Sequence, residues 1–342
     1  MRKLASIRKI DTLAPIEGAD KIELATVGGW KVVCQRGLYN VGDLAVYFEI
    51  DSWIPHGVAP FLTKPEHYPK VFEGVEGERL RTIKLRGQIS QGLLMPLEEA
   101  IKNAGCWSPV VEGDDVTEWL GIKKWEKAIP AQLQGQVKGN FPSLIPKTDQ
   151  ERVQNLKKEI EGLGDTRMTF EVTEKLEGSS MTCYLINDEF GVCSRNMDLK
   201  RTEGNSFWDT AIAEDIEAKM RMYMPYTNYA IQGELIGPGV QGNIYGLSKP
   251  AFYIFDVYDI DEGKYVNPDI RRRFITEMGL NHVPVLNTDW VARPNVDEIL
   301  ASAEGPSALN SKQEREGIVL KATNGGFTFK AISNKYLMKE KD

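Results

Sequence analysis

The chain has 342 residues, 42% hydrophobic and 27% charged, which excludes a single small module and wholesale disorder and gives room for roughly two globular domains. No run approaches the roughly 20 apolar residues that span a bilayer, and the opening MRKLASIRKI lacks the apolar core of a signal peptide, so a soluble, cytoplasmic protein without membrane contact is expected. A net charge of -7 excludes a global attraction to nucleic acid: residues 1–128 carry 17 Lys+Arg against 18 Asp+Glu, the remainder 25 against 31, and any such partner must meet a local basic surface.

Residues 1 to about 105 are short apolar runs broken by turn residues. Val32-Val33 and Leu44 to Ile50 read as strands, punctuated by VGG, RGLYNVGD and DSWIP, and RLRTIKLRGQISQGLLMP reads as a strand pair bent at Gly87 and Gly92. An all-β small barrel fits this pattern. CWSPVVEGDDVTEWLGIKKWEKAIP, from Cys106 to Pro130, reads as a connector with a short helix, which sets the expected division at 1–128 and 129–342.

The grammar then changes. TDQERVQNLKKEIEGLG places Val153, Leu156 and Ile160 at helical spacing, with Asp149 at the cap and Gly162 and Gly164 at the end, predicting a helix of about three turns. NSFWDTAIAEDIEAKMRMYM predicts one amphipathic helix through Phe207, Ala211, Ile212, Ile216, Met220 and Tyr223. MTFEVTEK, SMTCYLIND, EFGVCSRN, YAIQGELIG, AFYIFDVYDI, EGIVLKA and GFTFKAI read as strands, so the second domain is α+β with mostly antiparallel strands and flanking helices.

Four dispersed cysteines (Cys34, Cys106, Cys183, Cys193) without a C-x-x-C pair, and only three histidines (His56, His67, His282), argue against structural zinc and for reduced, buried thiols. Lysines and carboxylates are left to carry the chemistry. VTEKLEGSSM, residues 172–181, stands out because a lysine between two glutamates runs straight into Gly178, which costs about 1 kcal/mol in a helix interior. The stretch reads as a strand end entering a tight turn, although Lys-x-Glu-Gly alone equally describes a surface lysine.

Two resemblances sharpen this. GADKIELATVGGWKVVCQRGLYNVGDLAVYFEIDSWIP resembles the OB-fold modules that bind RNA, including those fused ahead of certain nucleic-acid ligases. It implies Arg36, Arg79, Arg81, Lys84 and Arg86 as RNA contacts, with Trp30 and Tyr39 available to stack on bases; a barrel core and a solvated cationic rim account for the same residues. EKLEG, SRN (194–196), QGELIGPG (232–239), FYIFDVYD (252–259), EGIVLK (316–321) and FKAISNKYL (329–337), in that order, resemble the motifs of covalent nucleotidyltransferases, the ATP-dependent DNA and RNA ligases and the mRNA capping enzymes.

That resemblance implies Lys175 as the nucleophile that takes AMP from ATP. A lysine of ordinary pKa near 10.4 is only about a thousandth neutral at physiological pH, so it needs cationic neighbours, a metal or desolvation, and Lys330 is the implied neighbour. Glu177, Glu234 and Glu316 are implied to hold Mg2+ or Mn2+ through bound waters, although three separated glutamates also read as surface charge. Arg195 and Asn196 are implied at the ribose side, Glu234 near the ribose hydroxyls, Glu174 and Leu176 in the nucleotide pocket, and Phe255 on the adenine face. IPKTDQERVQN resembles the segment that closes over ATP in one RNA ligase group, which implies Lys147 and Arg152 on the outer phosphates, with a helix N-terminus near Asp149.

The order of domains resembles the Deinococcus- and Naegleria-type RNA ligases: the OB-like module comes first, and the chain ends about a dozen residues after Lys330. The implied activity is sealing of 3′-OH/5′-phosphate breaks in nicked RNA or RNA/DNA duplex, by a monomer. A DNA ligase, a capping-type transferase and a non-catalytic RNA-binding protein share the same motifs. One departure is Thr328, where the family's last motif often has a first lysine; Lys335 lies nearby.

Overall fold

In an extended chain successive side chains alternate between faces, so the short alternating runs become strands. The computed structural model describes residues 3–104, 109–126, 135–223, 227–291 and 293–339. It divides into two compact units, Met1–Ala128 with Gln154–Lys157, and Ile129–Val153 with Lys158–Asp342.

The first unit is built from small antiparallel sheets. Leu44–Phe48 lies between Ala5–Lys9 and Leu93–Pro96; Ile22–Val27 lies between Thr12–Pro15 and Trp30–Gln35; Ser52–Pro55 pairs with Val75–Arg79 and Lys123–Lys124. Ile7, Val46, Phe48, Ile54 and Met95 fill the centre. Trp30 and Tyr39 are buried too, so the expected stacking on bases is overturned: neither ring presents a face to solvent. Of the expected connector with its short helix, residues 109–126 are described: Val116, Leu120 and Ile122 bury in this same core and Lys123–Lys124 adds a short strand beside Ser52 and Trp53, while the rest of it lies outside the described residues. Three apolar side chains stabilise that path more than a solvated spacer would.

Thr82–Leu85 and Gln88–Gln91 form a hairpin whose turn residues Arg86 and Gly87 have φ of 46° and 83°. Two successive positive φ values match the strand twist of a tight hairpin, which leaves Arg86 at its tip. Four residues from later in the chain, 154–157, complete this unit: Asn155 Oδ1 accepts from Trp30 Nε1 at 2.7 Å, and its amide donates to Glu49 at 3.1 Å.

The second unit carries two antiparallel sheets. The larger runs Val137–Asn140, Met197–Leu199, Glu189–Cys193, Ser179–Ile186, Tyr229–Ile236, Ala251–Asp259, Lys264–Tyr265, with Asn281–His282 parallel to Ala251–Asp259. The smaller runs Val285–Val291, Thr169–Lys175, Gly317–Ala322, Thr328–Ile332. Met181, Cys183, Ile231, Phe252 and Ile254 pack under Phe207, Trp208, Ile216 and Met220 from two helices.

Those two helices, Ser206–Ala213 and Ile216–Tyr223, replace the single predicted one. Asp215 has a φ of 54° and breaks the run; Ile212 and Tyr223 consequently lie outside the core. Asn205, not predicted as a cap, accepts from the backbone N–H of Phe207 and Trp208. The helix predicted from Asp149 forms only over Lys157–Gly162, after a 3₁₀ turn at Val153–Leu156. Cys34, Cys183 and Cys193 are buried and unpaired, while Cys106 lies outside the described residues. Among the described residues no helix is long and apolar enough to cross a membrane.

Candidate active site

Lys175 ends the strand Thr169–Lys175, and the chain turns at once into Ser179–Ile186. Glycine is required in that turn: a Cβ on Gly178 would stand 2.4 Å from the Leu235 carbonyl oxygen and 2.8 Å from Glu234 Cγ. The turn thus presses the Lys175 end of one sheet against the Glu234 strand of the other. Strand register brings the rest. Lys175 pairs with Gly317, Thr173 with Val319 and Val319 with Lys330, so Lys175 and Lys330 share a sheet face.

The Lys175 ammonium lies 2.7 Å from Glu316 Oε1. Desolvation by burial favours the neutral amine, but the charges of Glu316 and Glu234 outweigh it and hold the ammonium above its ordinary range; Arg195 pulls the other way. Arg195 is therefore one cation acting against the Lys175 proton, a role not expected of it from the sequence. Glu234 is pushed up to about 8 by burial, with Lys175 lowering it and Glu316 raising it. A second carboxylate that ionises only near pH 8 in this setting is short of positive charge. Hard oxygen donors lacking a full countercharge fit a hydrated divalent cation.

Among the described residues no three His, Cys, Asp or Glu side chains converge as a direct chelate, and the expectation for Glu177, Glu234 and Glu316 was a hold through bound waters. Glu234 and Glu316 flank the amine. Glu177 sits in the turn, its backbone N–H donating to Tyr245 Oη at 2.6 Å, a tether that sequence reasoning did not find.

Leu176 is buried in a cluster with Ile236, Tyr245 and Val283, against which Tyr253 and Phe255 pack. Phe255 reaches that position through a bulge: Gln232 pairs with Asp256 and Gly233 with Ile254, which leaves Phe255 as the extra residue and re-aims its side chain. Glu174 is buried; its Oε2 accepts from the Ala308 N–H at 2.7 Å, and its Oε1 has no hydrogen-bond partner in the structure.

Residues 147–152 form no helix where a helix N-terminus was expected. Arg152 bridges in parallel to Lys330, whose N–H donates to the Glu151 carbonyl at 2.8 Å, and Thr328 Oγ1 donates to Gln150 Oε1 at 2.8 Å. Backbone pairing to the strand Thr328–Ile332 outcompetes the helix there. Asp149 makes a 2.6 Å ion pair with Arg195 in place of capping, and Lys147 donates to Asn196 Oδ1 at 2.9 Å. Lys147, Arg152, Arg195, Asn196 and Lys330 therefore belong to one linked set. Lys335 does not join it: its ammonium pairs with Glu304 at 2.9 Å.

Of the cations implied in the first unit, Arg36, Lys84 and Arg86 are exposed and Arg81 is half-buried. Arg79 is corrected to a structural role. It pairs with Asp51 at 2.6 Å and lies 3.8 Å from the Trp125 ring centroid with its side chain 7% exposed, leaving little of it for a phosphate.

Sequence reasoning also missed a buried charge network on the Lys175 face. Glu171 is bonded by Arg271 and Arg272, and Asp256 by Lys321 at 2.6 Å with Arg271 at 3.6 Å. The available signal was spacing, since Glu171 is four strand positions before Lys175 and so lies on the same face.

A family model described as RNA ligase matches residues 168–336, and one described as an OB-fold domain matches residues 4–97. A solved Naegleria gruberi RNA ligase mutant with AMP and Mn is 44% identical, covers 99% of each chain and has a TM-score of 0.90. A mutant of the same ligase with ATP and Mn is 43% identical over 99% of each chain, with a TM-score of 0.90. The ligase with PPi is 44% identical over 98% of each chain, with a TM-score of 0.89. No curated protein matches. With its motif lysine set between two glutamates and this likeness running over nearly the whole sequence, the chain belongs to the RNA ligase family.

Proposed function

We propose that this chain is an ATP-dependent RNA ligase that seals 3′-OH/5′-phosphate nicks through lysyl-AMP and an AMP-capped 5′ end. The observation that carries the reading is the Lys175 ammonium at 2.7 Å from Glu316 with Glu234 beside it. That pair keeps the free amine protonated and unreactive. The charge of Mg2+ or Mn2+, held through waters by Glu234 and Glu316 with Glu177 alongside, offsets the two carboxylates and stabilises negative charge on the α-phosphate.

Once its proton is released, the Lys175 nitrogen attacks the α-phosphorus of ATP, forming the N–P bond as the bond to pyrophosphate breaks. An oxygen of the RNA 5′-phosphate then takes AMP from Lys175, and the adjacent RNA 3′-OH attacks that 5′-phosphorus and expels AMP. In this reading Arg195 and Asn196 hold the ribose side, Lys147 and Arg152 the outer phosphates, and Lys330 the α-phosphate. Phe255 stacks on the adenine, with Glu174 and Leu176 in the same pocket. Solved Naegleria relatives holding ATP, AMP or PPi support this set of ligands.

The ligase module spans residues 129–342 and the OB-like module with its connector 1–128, where Arg36, Lys84 and Arg86 contact nicked RNA or RNA/DNA duplex, with Arg81 beside them. The enzyme acts as a monomer in the cytoplasm; three buried, unpaired cysteines fit a reducing compartment.

Radiolabelled ATP with Mn2+ or Mg2+ is expected to tag the protein, and Lys175→Ala to abolish the tag. A tag that persists in that variant rejects Lys175 as nucleophile. GTP in place of ATP, and DNA in place of RNA at the 3′-OH strand, separate this reading from capping enzymes and DNA ligases.

A further inference from the structure

The Lys321 side chain is only 10% exposed, a position where an ammonium is costly unless its donors are used. They are used on neighbouring residues of one strand: Nζ donates to the Phe255 carbonyl at 2.7 Å and pairs with Asp256 Oδ1 at 2.6 Å, while lying 5.4 Å from the centroid of the Phe255 ring. The bulge explains why a donor is needed there. An extra residue in one strand leaves a ladder group unpaired, and the lysine supplies the missing partner for the part-buried Phe255 carbonyl.

Register puts Lys321 on the face that carries Lys175, because it pairs with Glu171, four positions earlier on the same strand as the nucleophile. One side chain thus ties the strand after Glu316 in the smaller sheet to the Phe255 strand in the larger. Asp256 is held in turn by Arg271, Arg271 and Arg272 hold Glu171, and His282 accepts from Arg271 Nε at 3.1 Å.

We propose that Lys321 is a positioning residue for the nucleotide base: by gripping the Phe255 carbonyl and underlying its ring, it sets the plane on which the base stacks, and so governs ATP affinity without touching ATP. The inference rests on the reading that Phe255 stacks on the adenine. A purely structural lysine would stabilise the fold and leave nucleotide affinity alone. Burial pulls the Lys321 ammonium down to about 8, with Asp256 resisting and Arg271 assisting. Glu171 also faces it, with Arg272 and His282 behind. Above that pH the proton is lost and the grip on Asp256 weakens.

The test measures KM and kcat for lysyl-AMP formation against ATP, with thermal unfolding as the folding control. Lys321→Met is expected to raise KM about tenfold with kcat changed less than about twofold, and to leave inhibition by tripolyphosphate, which has no base, unaltered. The natural protein is expected to show a rise in KM above pH 8, and Lys321→Arg, which stays charged, should remove it. Phe255→Ala is the parallel control. If it leaves KM unchanged, the stacking reading fails and this inference falls with it. If Phe255→Ala raises KM but folded Lys321→Met does not, the stacking reading stands and the positioning role is overturned. Should Lys321→Met not fold, the pH profile decides: a rise kept in Lys321→Arg overturns the proposal, and a rise abolished supports it.

Discussion

At the scale of single residues, His282 reports its own protonation state. Nε2 must accept from Arg271 Nε, and Nδ1–H donates to the Val283 carbonyl at 2.6 Å, so the ring is neutral with its proton on Nδ1. Desolvation and the Arg271 charge push its pKa down to about 4. The unfolded chain, with an ordinary histidine near 6.5, binds more protons between those values, so stability rises with pH across that window and is lost as pH falls from about 6.5 toward 4. The loss from this group is expected to reach on the order of 3 kcal/mol. Denaturant titrations from pH 7.5 to 4.5 check it, because His282→Gln should show a flatter profile than the natural protein. Lys175 was legible locally only as a lysine at a strand end running into a glycine turn, and its proposed role as nucleophile came from the resemblance of the whole motif order. Lys321 stood in plain view inside EGIVLK, but nothing local says that its ammonium lands on Phe255 and Asp256.

Among the elements, the hairpin of Thr82–Leu85 and Gln88–Gln91 carries the best remaining case for RNA contact, with Lys84 and Arg86 exposed around its tip. The double variant Lys84→Ala with Arg86→Ala is expected to weaken binding of nicked RNA duplex and to lower the salt dependence of log affinity by about two phosphate contacts. Lysyl-AMP formation should continue. Fluorescence anisotropy at a series of salt concentrations reads the slope, and an unchanged slope removes the hairpin from the interface. The strands of the second unit were readable because alternation and β-branched runs are local. The helices were less so. The buried positions Phe207, Ala211, Ile216 and Met220 contain one step of five residues, which an unbroken helix cannot keep on one face, and the structure puts its break at Asp215 inside that step. The 149–152 stretch has helical spacing downstream, yet strand pairing beside Lys330 claims it.

Over the whole molecule, the chain order of the two units hides one exchange: residues 154–157 belong with the first unit although they follow the second unit's opening segment. Asn155 is the anchor, satisfying the fully buried Trp30 indole N–H and donating to buried Glu49. Asn155→Ala strands the Trp30 indole N–H and takes one donor from Glu49, and about 1–3 kcal/mol of stability should be lost for the buried N–H left unpaired. A lowered midpoint in thermal unfolding checks it, and no change would mean that water replaces the amide. The sequence by itself determined the strand-rich character and the small barrel at the front, because each depends on residues within a few positions of one another. Only the tertiary structure decided which charges meet and which rings are hidden. Arg79 with Asp51 and Arg271 with Glu171 are 28 and 100 residues apart, and desolvation and Coulomb attraction act through space, so no local pattern encodes them.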